Sequence, residues 1–367
     1  MYVLPLFNND ITRSFPLKNL TIMDPVISSK SFTFGKLIAL FRPYFWQSLF
    51  CGAKEFRLDI DWMRKLAKQS LIVGTLKQYI NINPSLNALD LWYFYWGTNS
   101  LNVLPFLEVH PKSVCRFHRY DLYGKDCLGG EHQLFQGLSA KKLRKAYFVS
   151  EDGMNYFSQK HKNITTSMKV SRLGVPDRGV ASASVDGVLR VVTSSNIYKV
   201  KRLELVARAI AQLTTFKVVW THFGDGPRSL VSEVKRAASK AGNNVQVKFM
   251  GRVKNFELMR YYKANPVDLF INVSESEGLP VSIMEALSFG IPVIATDVGG
   301  TREIVNDDVG KLVSSSISDK QLAREISEFY CKKYGVTGVR ESCRREWSQK
   351  VQDTKNYDEF IKDIKNV

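Results

Sequence analysis

The sequence predicts an α/β protein made of two Rossmann-like domains, and three observations carry that expectation. The chain has 367 residues, room for two domains of ordinary size. Its second half alternates short apolar runs with segments of helical spacing, the pattern of βα units and a parallel sheet. Between the halves, residues 174–187 read GVPDRGVASASVDG, rich in Gly, Ser, Ala and Asp and poor in large apolar side chains. That is linker composition. The expected division is therefore a first domain over 1–175, a linker over 176–187, a second domain over 188–345 and a terminal segment over 346–367.

The first half gives five expected strands: Tyr2–Phe7, Leu20–Asp24, Ala88–Trp96, Ser113–His118 and Ala146–Ser150. Between them lie Phe34–Phe50, apolar, aromatic and flanked by bases, and Lys54–Lys77, with Trp62, Arg64, Lys65 and Lys68. Such segments fit an amphipathic helix at a membrane surface and fit a core-packing helix equally well. In the second half the expected strands are Val188–Ser195, Phe216–Gly224, Val245–Gly251, Val267–Ser274 and Pro292–Asp297. The helices between them are Leu203–Leu213, Pro227–Ala241, Asn255–Asn265 and Val281–Gly290, with a short one at Thr301–Asp307. Right-handed crossovers close these units into a doubly wound domain.

Composition narrows the partners. The net charge of +17 calls for an anionic one, and more than half of the excess falls in residues 1–170. Nucleic acid, an anionic membrane face and a phosphorylated substrate all answer that description. No nucleic-acid motif accompanies the charge, so nucleic acid is not expected. Five cysteines without a C-x-x-C spacing give neither a disulfide framework nor a zinc site, and point to a reducing cytosol. No signal-peptide pattern opens the sequence and no run of 18 apolar residues occurs, so membrane contact is expected to be peripheral, at the inner face.

In an open parallel sheet the ligand sits beyond the carboxyl ends of the strands, which singles out the loops after Ser195, Gly224, Ser274 and Asp297. The most informative is SESEGLPVSIMEALSFGIPVIATDVGG, Ser274–Gly300. Glu277 stands in a loop after a strand, and Glu285 about one turn into the next helix. Gly278 and Pro280 shape the turn between them. Free amides and the dipole at a helix start favour phosphate, whereas carboxylates accept hydrogen bonds from sugar hydroxyls. A ligand carrying both groups is a nucleotide sugar.

This text resembles the retaining family 4 glycosyltransferases of the GT-B fold, glycosyl transferases group 1. Their E-x7-E segment appears here nearly word for word up to Glu303. HFGDGPRSLVSEV, VKFMGRV, RFHRYDLY, YFVSEDGMNYF and VSRLGVP extend the likeness to about residues 100–315. The resemblance implies two Rossmann-like domains facing across a cleft, with a last helix over 346–367 crossing back to the first domain. It implies transfer of a hexose from a nucleotide diphosphate sugar to a glycan, with retention and without a metal or other cofactor. It gives catalytic roles to His118, Lys201 and Glu277. Lys201 would neutralise the diphosphate, Glu277 would meet the donor sugar, and His118 would stand near that sugar with Asp121 following it. It gives donor binding to Glu285 on the ribose and to the backbone at Gly278, Leu279 and Pro280. The loops after Gly224 and Gly251 would read the base. Asn196 stands where the family often has an arginine, and Arg202 or Lys199 is the nearby base that would compensate. The basic, aromatic first half adds the expectation of a lipid-linked acceptor, a precursor of surface polysaccharide or lipopolysaccharide. Family members open with a further strand and helix, so the first domain is expected to miss its first strand–helix unit. A non-catalytic protein binding a nucleotide sugar or a partner enzyme is the alternative.

Rival readings are weaker. Gly224–Pro227 begins like a dinucleotide fingerprint, but Ser229 occupies the third glycine position. His110, His118, Asp121, Glu131 and His132 have no helical ligand spacing, so no metal is expected.

Overall fold

The computed structural model describes residues 60–333 apart from 126, 128 and 129, residues 338–367, and before residue 60 only Tyr2–Val3, Thr21–Ile22, Pro43, Trp46 and Phe50. The expected missing first unit and the aromatic segment Phe34–Phe50 therefore fall largely outside the described residues. The chain divides into two compact units, the first over 1–148 with 154–169 and Val367, the second over 149–153 with 170–366.

In the first unit, Tyr2–Val3 (β1) pairs in parallel with Thr21–Ile22 (β2). A long helix, Ile60–Ile82 (α1), precedes Trp92–Phe94 (β3) and Ser113–Phe117 (β4). After β4 come Arg119–Leu122 (α2), Gln136–Ala140 (α3), Lys145–Phe148 (β5), Glu151–Lys160 (α4) and Ser167–Val170 (β6). The sheet runs β3-β4-β5-β6, with β3, β4 and β5 parallel. Its core gathers Cys115, Phe117, Phe148 and Phe157, and the Phe117 and Phe148 rings stack at 5.2 Å. Helix α1 buries Trp62, Leu66, Ile72, Val73, Leu76 and Ile80, while Arg64 and Lys68 stay exposed. Trp62 thus packs in the core, and of the two readings open for this segment the structure selects the core helix.

The second unit holds a six-stranded parallel sheet. Its strands are Val188–Ser194 (β7), Lys217–Phe223 (β8), Val245–Phe249 (β9), Leu269–Asn272 (β10), Val293–Thr296 (β11) and Gly310–Val313 (β12). The helices are Leu203–Ile210 (α5), Arg228–Ala238 (α6), Asn255–Ala264 (α7), Val281–Ser288 (α8), Asp319–Lys333 (α9), Val339–Lys350 (α10) and Asp353–Ile364 (α11). The strand order β9-β8-β7-β10-β11-β12 reverses direction between β7 and β10. Central strands are covered on both faces, as parallel strands must be. Phe270 joins one apolar cluster, while Leu269 and Ile271 join the other; Ile294 and its neighbours Val293 and Ala295 divide the same way.

Residues 176–187, read from composition as a linker, are part of this unit. Ala181 is buried, and Ser184 donates from both its amide and its hydroxyl to Asp268, at 2.8 and 2.6 Å. Arg340 adds Nη1 to the Ala181 carbonyl at 3.0 Å. Polar anchoring explains why the composition misled: hydrogen bonds, rather than large apolar side chains, hold the segment. Trp347 of α10 donates to the Val175 carbonyl at 3.0 Å, and Gln352 bridges Val175, so the start of α11 is tied within the second unit.

Candidate donor site at the reversal point of the sheet

Strand order places a crevice beyond the carboxyl ends of β7 and β10, where ligands of doubly wound sheets bind. Ser194, Ser195, Lys201, Asn272 and Ser274 line it. The loops that follow the two strands are joined by a backbone hydrogen bond, Glu275 N to Val200 O, at 2.8 Å. This brings Lys201 and Glu277 together although 76 residues separate them: Lys201 Nζ lies 2.5 Å from Glu277 Oε1. Asn272 Nδ2 also donates to Glu277 Oε1, at 3.2 Å, while its Oδ1 accepts from the Ser274 amide and hydroxyl. Glu277 is 7% exposed, so its charge is met by these partners and not by bulk water.

Helix α8 starts at once after this loop. Pro280 is its N-cap and contributes no side-chain bond, and the first intrahelical acceptor it offers takes Ile283 N at 3.0 Å. The amides of Val281 and Ser282 precede that bond, which makes the helix start a donor surface for an anion. Glu285 follows one turn in. It is buried, and desolvation raises its pKa, opposed by a 2.7 Å hydrogen bond from Asn255 Nδ2 and by the charge of Arg178.

The turn between the carboxylates is braced by Gly300, whose N donates to Gly278 O at 2.8 Å. A Cβ at Gly300 would stand 2.5 Å from Gly278 O and 2.6 Å from Ser150 Cβ, so only glycine fits that approach. Gly224 has φ +143° and bonds Gly251 O through its amide at 2.9 Å, and a Cβ there would meet Ser195 O at 1.8 Å. Gly224 and Gly251 thus sit together at the ends of β8 and β9, and Gly224 packs onto the loop after β7. Leu279 is buried in the apolar cluster beneath.

Two further predicted donor residues, Asn196 and Arg202, stand in the segment between β7 and α5. Asn196 is exposed in the loop after β7. Arg202, in a left-handed conformation at φ 47°, gives Nε to Val273 O at 2.7 Å and Nη1 to Ser315 O at 2.5 Å. These two bonds fasten the ends of β10 and β12, while Nη2 has no hydrogen-bond partner among the described residues. Sequence reasoning passed over Asn255 and Asn272, which orient the two carboxylates, and His222. The His222 ring is fully buried, with Nδ1 2.9 Å from Thr193 Oγ1, and burial lowers its pKa to about 4. Nothing in their spacing marks the asparagines. Glu303, the last residue of the matched motif, accepts from Asp152 N at 3.1 Å and from Arg172 Nη2 at 2.7 Å, a structural brace.

His118 lies in the first unit, just beyond β4. It is 7% exposed, with ring centroids 4.8 Å from Tyr95 and 4.5 Å from Trp96. Burial and then the Arg116 charge lower its pKa to about 4, opposed by a hydrogen bond with the Tyr95 backbone. Asp121 accepts the His118 amide at 2.7 Å, and burial raises its pKa to about 7. Among the described residues, no group of three or more His, Cys, Asp or Glu side chains is placed to hold a metal ion, and no helix is long and apolar enough to cross a membrane.

Comparison with known proteins agrees with this geometry. Residues 181–346 match the family described as Glycosyl transferases group 1. The O-antigen biosynthesis glycosyltransferase WbnH of Escherichia coli is 33% identical over 135 residues, 34% of this chain and 36% of that one. The match thus spans about a third of the relative's length. Among solved structures, Anabaena Alr3699/HepE in complex with UDP aligns at TM-score 0.62 and 16% identity over 87% of this chain and 96% of that one. The same protein in complex with UDP-glucose aligns at TM-score 0.62 and 18% identity, over 80% and 82%. Residues 181–346 thus resemble the glycosyl transferases group 1, and the chain shares the GT-B fold of these solved structures.

Proposed function

We propose that the chain transfers a hexose from a nucleotide diphosphate sugar to a glycan acceptor with retention of the anomeric configuration. The observation that carries this is the placement of Glu277 and Glu285 on either side of the α8 start, with Lys201 2.5 Å from Glu277. A sugar diphosphate ester needs all three chemistries. Glu285 accepts from ribose hydroxyls and Glu277 from sugar hydroxyls. Lys201 and the α8 amides meet the negative charge that builds on the departing diphosphate, in a site where those groups are already fixed. The Lys201–Glu277 pair holds both side chains ready, and on binding the ammonium turns to phosphate while the carboxylate turns to hydroxyls. His118 supplies a neutral imidazole to the sugar chemistry. No metal is needed in this scheme, because the cation is a lysine.

UDP is the first nucleotide to try, since the solved relatives above are complexed with UDP and UDP-glucose. The relative named for O-antigen biosynthesis supports a surface-polysaccharide or lipopolysaccharide precursor as acceptor, and the basic, aromatic first half of the sequence is the ground for reading it as lipid-linked and met at the inner membrane face. The test is release of nucleoside diphosphate from UDP, GDP and ADP sugars by the purified chain. Release that disappears in Glu285→Ala and Lys201→Ala supports the reading. A chain that binds the nucleotide and never consumes a donor is the non-catalytic binder instead.

A further inference from the structure

Residues 176–187 carry a cation, Arg178, to which the reaction proposed above gives no role. Its side chain is exposed and makes no hydrogen bond among the described residues. Its two neighbours, by contrast, are fixed. Asp177 accepts from Nη1 and Nη2 of Arg344 at 2.9 and 2.6 Å. The Arg344 guanidinium lies 4.5 Å over the Trp347 ring, and its Nη1 also donates to the Ser288 carbonyl at the end of α8. Gly179, at φ +118°, donates its amide to Asp177 Oδ1 at 3.0 Å, in a backbone region that glycine enters without strain. A Cβ on Gly179 would stand 3.8 Å from the Lys263 side chain of α7. Two residues on, Ala181 N donates to Phe289 O at 2.9 Å. Segment 177–181 is therefore laid along the last turns of α7 and α8, with Arg178 set between two anchored residues.

Glu285 stands one turn before those anchors, and Ser288 Oγ donates to its backbone carbonyl at 2.7 Å. Few groups face its carboxylate. From α7 come the Asn255 amide, donating to Oε1 at 2.7 Å, and the fully buried Tyr262 hydroxyl, whose pKa is raised by burial and then by the Glu285 charge. From segment 177–181 comes the charge of Arg178, and among the described residues it is the one cation acting on Glu285. Burial favours the neutral carboxyl, whereas ribose hydroxyls are accepted best by the ionised one. An arginine suits the opposing role because it stays charged at every working pH. Making no hydrogen bond to Glu285, it supports the charge without occupying an oxygen that the ligand needs.

We propose that Arg178 is a positioning residue for the nucleotide: from its fixed place beside α8 it holds Glu285 ionised, ready to accept the ribose hydroxyls. Its purpose rests on the nucleotide-sugar reading above, while the action of Arg178 on Glu285 needs no ligand and can be measured without one.

Two measurements on the full chain test this, in wild type, Arg178→Gln and Arg178→Lys. The first is the Glu285 titration, followed by carbon-13 NMR of the side-chain carboxyls, with the signal identified by its loss in Glu285→Gln. The second is UDP affinity by calorimetry over the same pH range. Thermal melting checks that each variant is folded. Arg178→Gln should move the Glu285 midpoint to higher pH, and Arg178→Lys should keep it near the wild-type position. UDP should bind Arg178→Gln about two- to fivefold more weakly in the acid range and equally well above it, the size expected of a solvent-screened charge. In about 1 M salt the wild-type midpoint should shift toward that of Arg178→Gln. An unmoved midpoint in Arg178→Gln overturns the role. So does a loss of UDP affinity that is equal at every pH and persists in the Glu285→Gln background. A moved midpoint in a chain that binds no UDP upholds the action on Glu285 and removes the nucleotide-sugar reading instead.

Discussion

Replacing Lys201 with alanine separates two jobs that one ion pair performs. Lys201 Nζ lies 2.5 Å from Glu277 Oε1, and the two side chains are 26% and 8% exposed. Removing one partner of a buried pair costs about 3–5 kcal/mol, because the other charge is left in a poor solvent. Here the lysine is a quarter exposed and Asn272 still donates at 3.2 Å, so the stability cost falls to about 1–3 kcal/mol. Glu277→Gln in the Lys201→Ala background removes the orphaned charge and should recover most of that loss. Turnover should behave differently. The ammonium is aimed at charge that develops on the leaving diphosphate, and losing such a group costs about 100- to 1000-fold in rate. The double variant should be stable and still inactive. Thermal unfolding and diphosphate release, measured on wild type, both single variants and the double variant, complete the cycle. Near-normal turnover in Lys201→Ala, or turnover restored by Glu277→Gln, would show that the pair is only a structural strut.

Three further outcomes follow from the same geometry. Gly300→Ala drives a methyl into Gly278 O and Ser150, so it should destabilise by about 1–3 kcal/mol and weaken UDP binding; unchanged melting and affinity would contradict the brace. The buried His222 titrates at about 4 when folded and near 6.5 when unfolded. Below 6.5 the unfolded chain takes up the proton first, so about 3 kcal/mol of stability, present in full above pH 6.5, drains away as pH falls toward 4. His222→Gln should flatten that acid slope in urea titrations, and an unchanged slope refutes the assignment. Burial raises the Glu285 pKa, and ribose hydroxyls need its ionised form. UDP affinity should therefore fall on acidification at a pH above the ordinary carboxylate range, and Glu285→Gln should bind weakly with that dependence gone.

The second unit was legible because periodicity reports burial. β7, β8 and β10 are apolar runs covered on both faces, and α5 through α8 carry helical spacing, so their expected and observed bounds differ by only a few residues. Strands without that signature escaped. Gly310–Val313 (β12) has Gly and Lys in four residues, and Ser167–Val170 (β6) buries none of its side chains fully. The short helix expected at Thr301–Asp307 is a 3-10 turn at Gly299–Glu303, which begins where Gly300 packs on the Gly278 turn. At the site, the carboxylates and Lys201 were readable from one motif and one loop. Their orientation was not, since Asn255 and Asn272 reach them through tertiary contacts 30 and 5 residues away in sequence. Arg202 shows the same limit: composition offers a cation, and only the fold reveals that its Nε and Nη1 bond the carbonyls of Val273 and Ser315.

The central claim is that the start of α8, with Glu277 and Glu285 around it, receives a nucleotide sugar. Calorimetric titration of UDP-glucose into the full chain and into Glu285→Ala tests it most directly. The account predicts one saturable site in the wild type, weakened about tenfold or more in the variant at unchanged melting temperature. Equal affinity in both proteins, or binding that survives while Glu277→Gln and Lys201→Ala are equally silent, would place the ligand elsewhere and contradict it.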